Sequence, residues 1–348
     1  MTTAIVTDER YLSHTDPTHV ERAERLLSIQ RALDASGVRA MVQQLTPRPA
    51  TQDELLAVHT TDHVDTINRY AVRGGGYIDT DTYMVEGTLE AAYLAAGGAI
   101  TAVAAVLEGT APNAFAFVRP PGHHATPDRA MGFCLFNNIA VAARAALQQF
   151  GLARVAIVDY DVHHGNGTQD IFYRDGQVLF CSTHAAPYYP GTGRVDEIGT
   201  GDGAGATLNV PMPYGVGDVG YQRVFEQVIM PALHRFQPQL ILVSAGYDAH
   251  WSDPIGPMVV SVQGFASMTK MLADAAGELC DGRIVLVLEG GYNLEAVGAS
   301  ALASLQVLLG QTPAPGEMGR ITAPEPELTR LIATLQQQHP LLRGAAEA

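Results

Sequence analysis

The chain has 348 residues, 47% of them apolar and 16% charged, so it can bury a large core, and α/β folds of this length commonly form one domain. A net charge of −15 argues against nucleic acid and anionic membrane surfaces as partners and suits neutral or cationic substrates. Three cysteines without CxxC spacing, and an N-terminus with neither a basic n-region nor an apolar h-region, predict a reducing, cytoplasmic setting; no apolar run approaches the roughly 18 residues of a membrane span.

In chain order, a first strand is expected around Ala4 to Thr7, and apolar spacing at Leu26, Leu27, Ile29 and Leu33 predicts a helix from about Val20. Helical patterns follow at 52–58 and 61–72, then the glycine-led loop RGGGYIDTDTY, then a long Ala-rich helix from about Glu86 to Leu107. Strand-like runs at 114–118, 155–158, 178–182, 240–244 and 284–288 alternate with helical runs at about 137–149, 167–174, 220–235, 262–279 and 295–308. That alternation predicts βαβ units, a mostly parallel sheet covered by helices on both faces. A Gly-rich loop from Ala185 to Thr207 is long enough to suggest a functional rim. We take 1–310 as the main domain and 311–348 as a tail, opening with TPAPGE and carrying one helix from about Glu325 to Gln338.

Four of the strands run into polar clusters: RPPGHHA, DYDVHH, AGYDAHWSDP and EGGYN. The carboxyl ends of parallel strands line one crevice, and ligands bind there. After Val155 to Val158 come Asp159, Asp161, His163 and His164, and alternation along an extended segment points the first three to one side. Two carboxylates on one face repel unless a cation lies between them, which argues for a metal with oxygen and imidazole ligands.

RPPGHHA, GFCLFNN, DYDVHHGNGTQDIFY, YPGTG, SAGYDAH with DP, and EGGYN, in that order from about His14 to Leu309, resemble the histone deacetylase and acetylpolyamine amidohydrolase superfamily, with its arginase–deacetylase fold. The resemblance implies a metal site of Asp161, His163 and Asp248, holding zinc with ferrous iron as the alternative. It implies that Asp159 supports His123 as a charged imidazole, while His124, partnered by Asn166 as in class II members, is the neutral base. Tyr292 would donate to the substrate carbonyl, Phe133 and Tyr189 would wall an acyl-lysine tunnel, and the Gly132 carbonyl would accept the substrate amide N–H. Ile255, where polyamine-preferring relatives carry Glu, tilts the substrate toward acyl-lysine or another N-acyl alkylamine. Structural potassium is implied at Asp159, Asp161, His163, Ser182 and Thr183, and again at Phe172, Asp175, Val178 and Tyr221.

The expected reaction is therefore metal-dependent hydrolysis of a linear amide, with an acetylpolyamine amidohydrolase as the near alternative. A two-manganese ureohydrolase on this fold needs another bridging carboxylate, yet Gly165 stands where a DxHxD pattern would place it. A non-catalytic acyl-lysine binder fits less well, since one catalytically weak branch carries His where this chain has Tyr292. Cys134 beside the tunnel wall is expected to be a buried, inert thiol, and the loop after Ala185 or the tail is where an oligomer contact would form.

Overall fold

The computed structural model of the protein describes residues 2–314 and 318–343, so part of the TPAPGE opening of the tail lies outside the described residues. Strands β1 (Ala4–Val6), β2 (Gln43–Leu45), β5 (Asn113–Ala116), β6 (Val155–Asp159), β7 (Val178–Ala185), β8 (Thr207–Met212), β9 (Ile241–Ala245) and β10 (Ile284–Leu288) form one sheet in the order β2-β1-β5-β10-β9-β6-β7-β8. Every pairing in it is parallel. The central strands are buried at every position and apolar apart from Asp159 and Ser244, as a sheet covered on both faces requires.

Helices α1 (Glu24–Ala35), α2 (Gln52–Leu56), α3 (Thr61–Val72), α4 (Thr88–Leu107), α5 (Asn138–Gln148), α6 (Asn166–Phe172), α7 (Asp218–Val224), α8 (Met230–Phe236), α9 (Val262–Leu279), α10 (Leu294–Leu308) and α11 (Thr329–Gln338) complete the fold. Helix α4 packs on α5, while α10 packs on α1 and α9. The α7 and α8 segments run on through one π-helical turn at Phe225–Ile229, giving the single helical stretch expected there.

Several expectations need correction. Helix α4 is 20 residues long and by length and composition apolar enough to cross a bilayer, contrary to the sequence reading. It is mostly buried against β1, β5, β10 and α5. Two sheet edges went unseen: β2 is short, polar and exposed, and β8 carries Pro211, tolerated because an edge strand needs no donor on its open side. The glycine-led loop folds back as a small hairpin of β3 (Gly76–Tyr77) and β4 (Tyr83–Met84). The tail helix begins at Thr329, because Glu325 ahead of it accepts hydrogen bonds from the N–H groups of Gly217, Val219 and Gly220.

Helix α1 starts at Glu24 and not at Val20, because Glu21 is held elsewhere. Its fully buried carboxylate accepts from Arg119 Nε and Nη2 at 2.6 Å each and from Arg25 Nη1 at 2.9 Å. Arg119 also donates to the carbonyls of Tyr11 and His14, and Arg25 to those of Glu289 and Gly291. This buried charge cluster ties the N-terminal segment to the loop after β10.

Burial alone would push the Glu21 carboxyl up, but Arg119 and His14 hold it well below its ordinary value. A depressed carboxyl stabilises the fold above its unfolded pKa of about 4.3, and that contribution is lost as pH falls toward the folded value. Glu21→Gln is expected to cost about 3–5 kcal/mol at neutral pH, since two buried guanidinium groups lose their counter-charge. In chemical denaturation, the gap to wild type should stay constant above about pH 5 and narrow below it; a gap independent of pH would contradict the assignment.

Candidate metal centre and active site

The four strands that run into polar clusters, β5, β10, β9 and β6, are neighbours at the middle of the sheet. Their carboxyl ends deliver His123 and His124, Tyr292, Asp248, and Asp161 with His163 to one buried place.

Donor atoms of Asp161, His163 and Asp248 all lie within 4.8 Å of one another. His163 Nδ1 is 3.1 Å from Asp161 Oδ1 and 3.2 Å from Asp248 Oδ2. Each carboxylate is steered by its other contacts: Asp248 Oδ1 accepts from Val162 N–H at 2.8 Å and Asp161 Oδ2 from Gly290 N–H at 2.9 Å. Burial and the neighbouring Asp161 push Asp248 up to about 7, whereas His123 and His163 outweigh burial and hold Asp161 well below the usual range. Two buried carboxylates converging on one imidazole nitrogen are the donor set of a divalent cation, and three protein donors leave a position open for substrate or water. Among the described residues this is the one cluster with that arrangement.

Strand alternation put Asp159 on the same face, but its carboxylate does not join this group. The strand ends at Asp159, the chain turns through 160–163, and Asp159 Oδ2 bonds His123 Nδ1 at 2.9 Å. Any side chain at position 165 is excluded, because a Cβ there would sit 2.3 Å from that same oxygen. The extra bridging carboxylate of a ureohydrolase therefore has no room at this position.

His123 and His124 stand with ring centroids 4.0 Å apart yet in opposite electrostatic settings. Burial opposes charge on His123, but Asp159 and Asp161 outweigh it and raise the imidazole to about 10. Burial pushes Asp159 up to about 6 even with the His123 imidazolium opposing it, and above that pH the pair is charged. For His124, burial and the charge of His123 push the pKa well below the ordinary value. Its Nδ1 lies 2.8 Å from Asn166 Oδ1, an acceptor, so Nδ1 carries the proton and Nε2 keeps a lone pair.

Tyr292 follows Gly291, whose φ of 112° no other residue adopts readily. Its N–H and that of Asn293 donate to Asp253 Oδ2, and the Arg25 guanidinium lies 4.8 Å from the centre of its ring. Burial raises the phenol well above its ordinary pKa; Arg25 opposes this, while Asp248 and Asp161 add to it. Phe133 meets Tyr292 edge to face at 5.6 Å, and Tyr189 meets His124 the same way at 5.1 Å. Tyr189, 37% exposed, also faces His163 at 6.0 Å and so borders the metal cluster, whereas Phe133 adjoins it through Tyr292. Gly132 lies directly against His124, where a Cβ would approach the ring to 2.4 Å, and its carbonyl accepts from the Cys134 thiol at 3.2 Å. The Ile255 carbonyl accepts from Tyr188, whose ring stacks on His163 at 5.4 Å.

Ser182 pairs with Asp159 across β6 and β7, and the Thr183 hydroxyl reaches the Asp159 carbonyl, so the residues expected around a first potassium lie together. Phe172, Asp175 and Val178 lie along the α6-to-β7 connection, and Tyr221 is buried in α7. Sequence reading passed over Arg25, Glu289 and Asp253. Glu289 is fully buried and pushed up to about 7 by burial, and its Oε2 accepts from the N–H groups of Gly122 and His123 at 2.7 and 3.2 Å. Glu289 and Asp253 lie within motifs already quoted, and that was their signal. Arg25 carried none.

Comparison with known proteins agrees with this geometry. The chain is 44% identical over 335 residues to a probable deacetylase of Archaeoglobus fulgidus, covering 95% of this chain and 92% of that one. It is 43% identical over 293 residues to a histone deacetylase-like amidohydrolase of Pseudomonas aeruginosa, covering 84% and 77%. The crystal structure of the HDA15 HD domain superposes with a TM-score of 0.88 at 40% identity, covering 98% of this chain and 96% of that one. The histone deacetylase domain family matches residues 19–308, which hold every strand of the sheet except β1 and every side chain at its centre, so this chain belongs to that family of metal-dependent amidohydrolases.

Proposed function

We propose that the protein hydrolyses the N-acetyl, or another short N-acyl, amide of lysine or a related alkylamine, releasing the carboxylate and the free amine. The observation that carries this reading is the neutral His124, with Nε2 bare beside Asp161, His163 and Asp248. The apolar Ile255 beside the Tyr188 loop favours acyl-lysine over acetylpolyamine.

Asp161, His163 and Asp248 would hold the ion, zinc by its preference for mixed carboxylate and imidazole donors, with ferrous iron as the alternative. When bound, it supplies Lewis acidity toward water and the amide carbonyl. His124 Nε2 takes a proton from the attacking water, whose oxygen bonds to the carbonyl carbon, and returns it to the nitrogen as the C–N bond breaks. The Tyr292 phenol donates to the carbonyl oxygen as negative charge builds there. His123, kept cationic by Asp159, holds positive charge next to that developing anion. Phe133 and Tyr189 flank the aliphatic stem and keep water away from it. Asp159, Ser182 and Thr183 lie together and would supply oxygen donors for a structural potassium.

With an acetyl-lysine peptide, Tyr292→Phe should lower kcat about 10²–10³-fold while metal content is unchanged; full activity would remove the phenol from the mechanism. Asn166→Asp places a carboxylate on His124 Nδ1, which favours the charged ring, so the acid limb of kcat/KM should move to higher pH. An unmoved limb would mean that His124 is not the base. Dialysis against a chelator should abolish turnover and lower Tm, and reconstitution with zinc or ferrous ion should restore both, more fully in potassium than in sodium buffer. Turnover by the metal-free protein would overturn the proposal.

A further inference from the structure

Phe133, one wall of the acyl-chain site, is held in a backbone conformation that its own side chain opposes. Its φ is 69° and that of Gly132 is 56°, so two successive residues are left-handed, and a bulky aromatic at such a value is an outlier that its surroundings must enforce. They form the centre of a tight reverse turn, closed by reciprocal bonds between Met131 and Cys134 at 3.1 and 3.0 Å. Turns of this hand ordinarily place glycine or asparagine at both central positions.

We propose that Thr82, in the hairpin loop before β4, is a positioning residue for the reaction, fixing the Phe133 wall from behind. Its hydroxyl oxygen accepts the Phe133 N–H at 3.0 Å and donates its own hydrogen to Asp81 Oδ1 at 2.9 Å. Thr82 is fully buried, and its carbonyl accepts from Ile78 N–H at 2.8 Å, which fixes the loop that carries it. One hydroxyl thus serves as acceptor and donor at once, a role that neither valine nor alanine can take. The same two loops are joined a second time at the surface, where Arg129 meets Asp79 at 2.7 Å.

The aromatic ring is fixed on both sides. Phe133 meets the edge of His19 at 4.7 Å and that of Tyr292 at 5.6 Å, each close to perpendicular. Rotation of the turn would therefore move a substrate-facing wall and its contact with Tyr292 together. Without the Thr82 hydroxyl, a partly buried N–H loses its partner and the strained turn loses the bond that opposes its relaxation. The Thr82 hydroxyl is hydrogen-bonded to Asp81 and Phe133 and to neither the metal donors nor His124, so its removal should act on substrate binding more than on bond breaking.

This inference rests on the reading that Phe133 flanks the acyl chain. With acetyl- and butyryl-lysine peptides and the metal-loaded enzyme, Thr82→Val should raise KM about tenfold, change kcat less than about threefold, and narrow the preference between the two peptides. Thr82→Ser should restore all three, and Thr82→Val should be silent in a Phe133→Ala background, as expected of a residue acting through Phe133. In hydrogen exchange the Phe133 amide should exchange about tenfold faster in Thr82→Val, with β6 amides unchanged. Thr82→Ala serves as the second variant should valine prevent folding. Unchanged Phe133 exchange in both, a KM effect that persists in Phe133→Ala, or no rescue by serine would overturn the assignment. Absence of turnover by wild type on any acylated amine would instead overturn the functional reading, while the exchange result still decides whether Thr82 holds the turn.

Discussion

Asp161 and Asp248 are buried facing the same imidazole nitrogen, and the rest of the structure is arranged around keeping that negative charge in place. Carboxylates removed from water repel each other and seek protons unless cations share the space. Here the opposing charge comes from His123 and, in the functional protein, from the ion that the three donors define. The sheet makes this convergence possible: β5, β10, β9 and β6 are adjacent and parallel, so clusters far apart in the chain emerge at one end. A second buried charge cluster, Glu21 with Arg25 and Arg119, holds the loop that ends in Tyr292 from the opposite side.

Two adjacent histidines show how partners assign protonation. They share a loop and nearly the same burial, yet one faces a carboxylate and the other an amide oxygen. Asp159 makes His123 a fixed cation, and that cation in turn suppresses a proton on His124. Splitting the pair in this way gives one group that carries charge and one that moves a proton. Asn166 contributes by fixing the tautomer without supplying charge.

Much of this was legible in the chain because the central strands are short apolar runs that end abruptly in ionisable residues. Val155–Asp159 and Ile284–Leu288 could be placed within a residue for that reason, and the motifs after them identified the clustered side chains. The edge strands were not legible, since Gln43–Leu45 has no apolar face and Thr207–Met212 contains a proline. Strand alternation misplaced Asp159, because alternation stops where the strand does. Arg25 and Thr82 could not be found by local pattern, as each acts on backbone groups supplied by distant segments, Arg25 on Gly291 and Thr82 on Phe133, whereas Glu289, which acts on Gly122, was visible only as part of EGGYN. The expectation that no apolar run approaches a membrane span failed at helix α4, whose alanines and glycines serve close packing yet give it the length and composition of one.

The account stands on one shared cation. Anomalous diffraction at the zinc edge, from crystals of the purified protein grown with one equivalent of zinc, tests this most directly. The expected result is a single strong peak in contact with Asp161, His163 and Asp248, with the Nε2 edge of His124 turned toward it. A peak elsewhere, or three side chains hydrogen-bonded to one another with no ion between them, would contradict it.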